Sequence, residues 1–253
     1  MSHIVIDGYN YYYEQIFRGN KQKPETIVFI HGAGGNYKLW YHQSMVLSQD
    51  FCIMVPDLPG HGKSDGKPSR TIDGYSSFIN NLLEYTVKEP VYLAGHSMGG
   101  AIAMDFALKY PQKIKGLVLI GTGSRLKVAP QILDTFRSGQ HFFGLIKWFY
   151  RNPPQKLLDY AREDMLSTDP RIWFADFSAC NNFDITGQLA DIKLPVLVIG
   201  AESDMLTPLK FSKLLVDNLP QAVLEVINEA GHMMMLEKPG IINEAISKFI
   251  KGV

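Results

Sequence analysis

Val91-Tyr92-Leu93-Ala94-Gly95-His96-Ser97-Met98-Gly99-Gly100-Ala101 reads as an apolar strand, a sharp turn and the start of a helix running to Tyr110, with a serine at the tip. A nucleophile on such a turn takes strained backbone angles. A side chain two residues to either side would collide with the neighbouring strand or helix, so small residues are a steric requirement there. In a chain with 22 glycines the five-residue string carries little weight alone. Its placement between a strand and a helix is what makes it informative.

Outward from this turn, further strand-like runs occur at Tyr11 to Phe17, Ile27 to His31, Phe51 to Val55, Leu117 to Gly121, Pro195 to Gly200 and Val223 to Ile227, with helix-sized segments between most of them. Several are continuous apolar runs, as expected when helices cover both faces of a parallel sheet. The pattern predicts an α/β protein with a mostly parallel central sheet and helices on both faces. It breaks once, over 122–188, which has no clear strand but carries Phe136, Phe142, Phe143, Trp148, Phe149, Trp173 and Phe174. This segment reads as a helical cap inserted in a core formed by 1–121 and 189–253. Its eight Arg/Lys against seven Asp/Glu leave it nearly neutral. Its aromatic residues either pack as a small core of their own or line an apolar cleft above Ser97.

Composition excludes several classes of function. The chain has 253 residues, 46% hydrophobic and 20% charged, with 25 basic residues balancing 25 acidic ones. Such a balance, without a lysine or arginine run, gives no footprint for nucleic acid or an anionic membrane. The N-terminus lacks the pattern of a secretion signal and no apolar run is long enough to span a bilayer, so a cytoplasmic protein is expected. Cys52 and Cys180 suit reduced structural thiols better than a disulfide framework or a metal site.

A serine hydroxyl needs a base to take its proton, and the base needs a third group to orient it. After the run ending at Gly200 comes Ala201-Glu202-Ser203-Asp204, which places Asp204 at the carboxyl end of a strand, where open α/β sheets hold ligands. After the last strand comes Glu229-Ala230-Gly231-His232. The expected catalytic residues are Ser97, Asp204 and His232, in that chain order. Glu202 is the competing acid, while Asp191 and Asp217 fall at the wrong ends of their elements. Negative charge developing on the substrate oxygen needs two backbone N–H donors. Met98, next to the nucleophile, and Ala33, in the small-residue loop His31-Gly32-Ala33-Gly34-Gly35, are assigned as that oxyanion hole.

These motifs, taken in order, resemble those of the α/β-hydrolase superfamily over nearly the whole chain. His31-Gly32-Ala33-Gly34 is similar to its oxyanion loop, Asp57-Leu58-Pro59-Gly60-His61-Gly62-Lys63-Ser64 to the loop after the next strand, and Gly95 to Gly100 to its nucleophile elbow. Leu194 to Asp204 resembles the acid strand, and Gly231-His232 with Glu237-Lys238-Pro239 the histidine loop. The resemblance implies the α/β-hydrolase fold with one helical cap, within the compact carboxylesterase and acyl-hydrolase group. Relatives that cleave epoxides or haloalkanes carry an aspartate where Ser97 stands. The menaquinone-pathway lyase usually has an arginine where Ala101 stands, and ring-cleavage C–C hydrolases tend to have Gly-Pro-Gly in place of Gly34-Gly35-Asn36. The pimeloyl-ester and general carboxylesterases are the nearer match.

Other motifs have plainer explanations. Gly60 to Ser64 ends like a phosphate-binding loop, but Asp57 stands where its first glycine belongs. Gly32-Ala33-Gly34 opens a dinucleotide fingerprint that fails at Tyr37, so no cofactor is expected. The histidines show no ligand spacing, and no metal is expected. His31 and His96 read as structural donors in tight loops, and Trp40 as packing beneath the oxyanion loop. The expected activity is hydrolysis of carboxylic esters of short-to-medium, uncharged acyl groups through an acyl-enzyme. The alternatives are cleavage of an activated C–C bond in a diketone-like substrate, or of a thioester or lactone, by the same triad. A non-enzymatic binding module would keep the fold without using the triad. The expected partner is a small-molecule ester, with no nucleic acid and no membrane. Phe143, Trp148, Leu206 and Met233 are the expected pocket walls.

Overall fold

The computed structural model describes residues 2–253. Eight strands form one sheet: β1 (Ser2–Ile6), β2 (Tyr9–Ile16), β3 (Thr26–Ile30), β4 (Cys52–Pro56), β5 (Val91–His96), β6 (Ile114–Ile120), β7 (Val196–Ala201) and β8 (Ala222–Ile227). Their order is β1-β2-β4-β3-β5-β6-β7-β8. β1 pairs with β2 and β2 with β4 in the antiparallel sense, and every other pairing is parallel. The helices are α1 (Tyr41–Leu47), α2 (Ile72–Thr86), α3 (Met98–Lys109), α4 (Pro130–Arg137), α5 (Ile146–Phe149), α6 (Gln155–Ser167), α7 (Pro170–Asn181), α8 (Leu209–Asn218), α9 (Met234–Glu237) and α10 (Pro239–Gly252).

The central strands are apolar on both faces because each face has its own helical layer. Val28, Ile30, Leu93, Leu117, Leu119, Val196 and Val198 point to one core with α2, α3 and α8. The alternate residues Ile27, Phe29, Tyr92, Ala94, Val118, Ile120, Leu197 and Ile199 pack on the other side with Trp40, α9 and α10. The two-residue period of a strand thus divides an unbroken apolar run between two cores. Edge strand β8 alternates instead, leaving Val223 55% exposed.

The sequence reading located seven of these strands and missed β1. Asp7 and Gly8 join β1 to β2 with both residues at positive φ, 52° and 82°, as a two-residue hairpin turn requires. The Asp-Gly pair was the available signal. β1 is an edge strand with alternate residues exposed, and its apolar run is only the three residues Ile4-Val5-Ile6.

Between β6 and β7 the chain forms α4 to α7 and no strand, apart from a single bridge between Arg125 and Asp184. Phe136, Leu145, Tyr150, Met165 and Trp173 form a separate core there, with Phe136 stacked on Trp173 at 5.4 Å between ring centroids. Its ends are anchored in the main core by Leu126, Phe183, Ile185 and Leu189. No helix among the described residues is long and apolar enough to cross a membrane.

Candidate active site

Ser97 links the end of β5 to the start of α3 with φ 52° and ψ −116°, a left-handed conformation costly for any residue with a Cβ. The turn is fixed on both sides. Ser97 N donates to Ile120 O at 2.9 Å, and Thr122 Oγ1 donates to Ser97 O at 2.7 Å. A Cβ on Gly95 would strike the Gly99 carbonyl, and one on Gly99 the Ile30 carbonyl, which is the steric requirement read from the sequence.

The loops after β7 and β8 bring Asp204 and His232 together. His232 Nδ1 lies 2.9 Å from Asp204 Oδ2 in a buried pair. Asp204 Oδ1 accepts the backbone N–H groups of Leu206 and Thr207, both at 2.8 Å. Its Oδ2 also accepts the Thr207 hydroxyl at 2.7 Å. Burial pushes this carboxyl upward, but His232 and the Thr207 hydrogen bonds outweigh it and hold it below the usual carboxylate range. His232 Nε2 has no protein partner among the described residues, and His232 lines the same cavity as Ser97. Glu202, the alternative acid, is exposed. Thr207 was missed from the sequence. Its signal was local, an aspartate followed at the third position by threonine and then by Pro208 ahead of α8.

His31 and His96 act as neutral spacers. His96 Nε2 donates to His232 O at 3.0 Å, and its buried Nδ1 has no partner among the described residues. Burial, then the neighbouring His232, keeps its pKa well below the ordinary value. His31 accepts the Leu58 N–H at Nε2 (3.2 Å) and donates from Nδ1 to Gly32 O (2.9 Å), so it is neutral. Burial lowers its pKa to about 3.

The small-residue loop after β3 is held by a residue that sequence reasoning did not single out. Asp176 of α7 is fully buried, and its Oδ2 accepts Gly34 N and His61 Nε2, both at 2.8 Å. Its Oδ1 accepts the Tyr75 hydroxyl. His61 also donates from Nδ1 to Pro59 O at 3.1 Å. With an acceptor at each ring nitrogen, His61 is an imidazolium. Burial alone would depress its pKa, but the charge and hydrogen bond of Asp176, with Pro59 O and Asp57 behind them, leave it raised. The sequence signal was a lone carboxylate in the apolar stretch Trp173-Phe174-Ala175-Asp176-Phe177. With Gly34 thus occupied and Gly35 N bonded to Gly32 O, Ala33 and Met98 keep backbone N–H groups that have no protein acceptor among the described residues.

The histidine loop is tied to the same segment. Glu237 accepts Gly231 N at 2.6 Å and Arg151 N at 3.0 Å, and Met233 N donates to Phe149 O at 2.8 Å. Two cavities meet at Ala33, Ser97, Phe177 and Leu206. Of the expected walls, Leu206 lines both, Met233 the first and Trp148 the second. Phe143 lines neither. It sits on a short 3-10 turn, stacked on His141 and covered by the Arg162 guanidinium 4.7 Å from the ring centroid. Trp40 is fully buried against Phe29, as expected of a packing residue. Among the described residues no three His, Cys, Asp or Glu side chains are grouped to hold a metal ion.

Comparison with known proteins adds to this geometry. A family model described as "Alpha/beta hydrolase family" matches residues 27–245. "Putative carbamate hydrolase RutD" of Agrobacterium fabrum is 28% identical, over 89% of this chain and 92% of that protein. A solved structure described as a thermophilic esterase is 30% identical, covers 99% of this chain and 97% of its own, and superposes with a TM-score of 0.85. Another, Est816, described as an N-acyl homoserine lactone degrading enzyme, is 27% identical, covers 98% of this chain and 100% of its own, and has a TM-score of 0.86.

Proposed function

Since the chain belongs to the alpha/beta hydrolase family, we propose that it is a serine hydrolase of the carboxylesterase type, acting on short-to-medium acyl esters through an acyl-enzyme. The observation that carries this reading is the Asp204–His232 pair at 2.9 Å, with His232 and a left-handed Ser97 opening on one cavity. Ser97 Oγ attacks the ester carbonyl while His232 Nε2 takes its proton. Asp204 fixes the ring so that Nδ1 carries its hydrogen, and steadies the imidazolium. The N–H groups of Ala33 and Met98 receive the oxyanion. His232 then protonates the departing alcohol and activates the water that releases the acid. In the same reading, 122–188 is a cap over a core of 1–121 and 189–253, and its apolar side chains favour an uncharged acyl chain.

A lactone is a cyclic ester and passes through the same tetrahedral intermediate. The likeness to Est816 makes an N-acyl homoserine lactone a further substrate to assay beside the p-nitrophenyl esters. Labelling of Ser97 by a fluorophosphonate, with turnover of p-nitrophenyl acetate to octanoate, tests the proposal. Failure of both in folded protein overturns it.

A further inference from the structure

The cavity shared by Ser97 and His232 is lined mainly by apolar residues such as Leu39, Phe149, Met165 and Trp173, yet Asp164 and Lys38 also line it. Asp164 Oδ1 accepts the Asn36 amide at 3.2 Å. Its Oδ2 has no hydrogen-bond partner, and no Lys, Arg or His nitrogen lies within 4.0 Å of the carboxylate among the described residues. Tyr150 and Tyr160 line the same cavity, and neither hydroxyl has a hydrogen-bond partner among the described residues. The three groups feel one another. Burial, then Tyr160 and Asp164, pushes the Tyr150 phenol up, and burial with Asp164 does the same for Tyr160. Burial also raises the Asp164 carboxyl, against the Asn36 bond and the more distant charge of exposed Lys38.

Ester hydrolysis as described above makes no use of this carboxylate, because Asp204 already supplies the acid. A half-buried carboxylate with one free oxygen is costly to keep ionised without a partner. The group that matches it best is a cation with N–H donors, which would meet one carboxylate oxygen and the faces of neighbouring aromatic rings.

We propose that Asp164, flanked by Tyr150 and Tyr160, binds a primary ammonium carried at the far end of an otherwise apolar ester substrate. This inference rests on the serine hydrolase reading, and it alters the expected uncharged chain only at its terminus. The carboxylate accepts from the ammonium, the Asn36 bond holds the acceptor in place, and the apolar walls take the methylenes between.

The test compares methyl 6-aminohexanoate with methyl heptanoate, which has the same chain length and no charge, and methyl 8-aminooctanoate with methyl nonanoate to allow for spacer length. The quantity to read is the ratio of kcat/KM for the amino ester to that for the neutral one, because the ratio cancels any general loss of activity. In the wild type at least one amino ester is preferred. In Asp164→Asn that ratio falls by about tenfold or more, the loss expected for one charge-assisted hydrogen bond. Asp164→Ser gives the same direction should the asparagine variant fold poorly. An unchanged ratio in both variants, as when Lys38 already neutralises the carboxylate, overturns the proposal. Should the wild type cleave neither kind of methyl ester, the serine hydrolase reading is still judged by fluorophosphonate labelling and p-nitrophenyl ester turnover. Calorimetric binding of hexylammonium chloride, with 1-hexanol as control, then decides the pocket. Binding that is lost in Asp164→Asn supports it, and binding that is absent or unaltered overturns it.

Discussion

Asp176 in α7 accepts the backbone N–H of Gly34 at 2.8 Å, joining a helix between β6 and β7 to the loop after β3 across 142 residues of sequence. The same carboxylate holds the His61 imidazolium and the Tyr75 hydroxyl. Asp176→Asn leaves one oxygen for three donors and removes the counter-charge of a buried cation. A stability loss of about 3–5 kcal/mol is expected, as for breaking a buried ion pair. Tyr75→Phe removes one donor and should cost less, about 1.5–3 kcal/mol. Denaturant unfolding of the two variants checks the order. An Asp176→Asn protein as stable as the wild type would show that the network carries no load.

Ser97→Ala is expected to abolish turnover and to leave the fold intact, because the hydroxyl is needed for covalent chemistry and contributes little packing. Loss of a triad nucleophile removes many orders of magnitude of kcat. Activity above about a hundredth of the wild type would remove Ser97 from the mechanism.

Asp204→Asn should lower kcat by about 10³- to 10⁴-fold, through the wrong imidazole tautomer. Thr207→Val, which deletes the hydroxyl at 2.7 Å from Asp204 Oδ2, should cost about tenfold, the scale of one hydrogen bond to a charged group. Steady-state kinetics rank the pair, and a Thr207→Val effect larger than that of Asp204→Asn would reverse the assigned roles.

Stability should fall with acid, and the buried histidines set the sign. His31 titrates at about 3 in the folded protein and His96 well below its ordinary value. The unfolded chain therefore binds protons first as the pH drops through about 6.5, and folding stability is lost progressively below that point. Asp204, also lowered, adds its loss further down, as the pH falls through its folded value. His61 has the opposite sign, since its raised pKa stabilises below the ordinary histidine value and that contribution disappears as the pH rises through its folded value. Melting temperatures between about pH 7 and pH 4 should decline steadily. A flat profile would mean that His31 or His96 is not held neutral.

In a p-nitrophenyl series, kcat/KM should rise with each methylene, by up to about 0.8 kcal/mol apiece, until the cavity walls are met. The best substrate is then a short-to-medium acyl chain. A maximum at long lipid-like chains would mean that the helices between β6 and β7 open as a lid.

The strand, turn and helix around Ser97 were legible because each is dictated locally. An apolar run buried on two faces looks the same wherever it occurs, and a left-handed Ser97 excludes side chains at Gly95 and Gly99. Asp204 and His232 could be found because each follows a strand whose end lies on the same edge of the sheet. β1 escaped because an edge strand with alternate residues exposed offers only the short run Ile4-Val5-Ile6 and its turn.

The sequence by itself determined the layered sheet, the sharp turn at Ser97 and the position of Asp204 and His232 just after strands, because strand period, glycine sterics and chain order are properties of short segments. Only the tertiary structure decided that Asp176 meets Gly34, His61 and Tyr75, that Thr207 shares Asp204 with His232, and that Asp164 lines the cavity with only the Asn36 amide on its carboxylate among the described residues. It also decided that Phe143 lies away from the cavities while Trp148, five residues on, reaches one. Hydrogen bonds between residues far apart in the chain depend on how α6 and α7 dock over the sheet. That docking is set by the summed packing of many apolar side chains, which no single spacing in the sequence encodes.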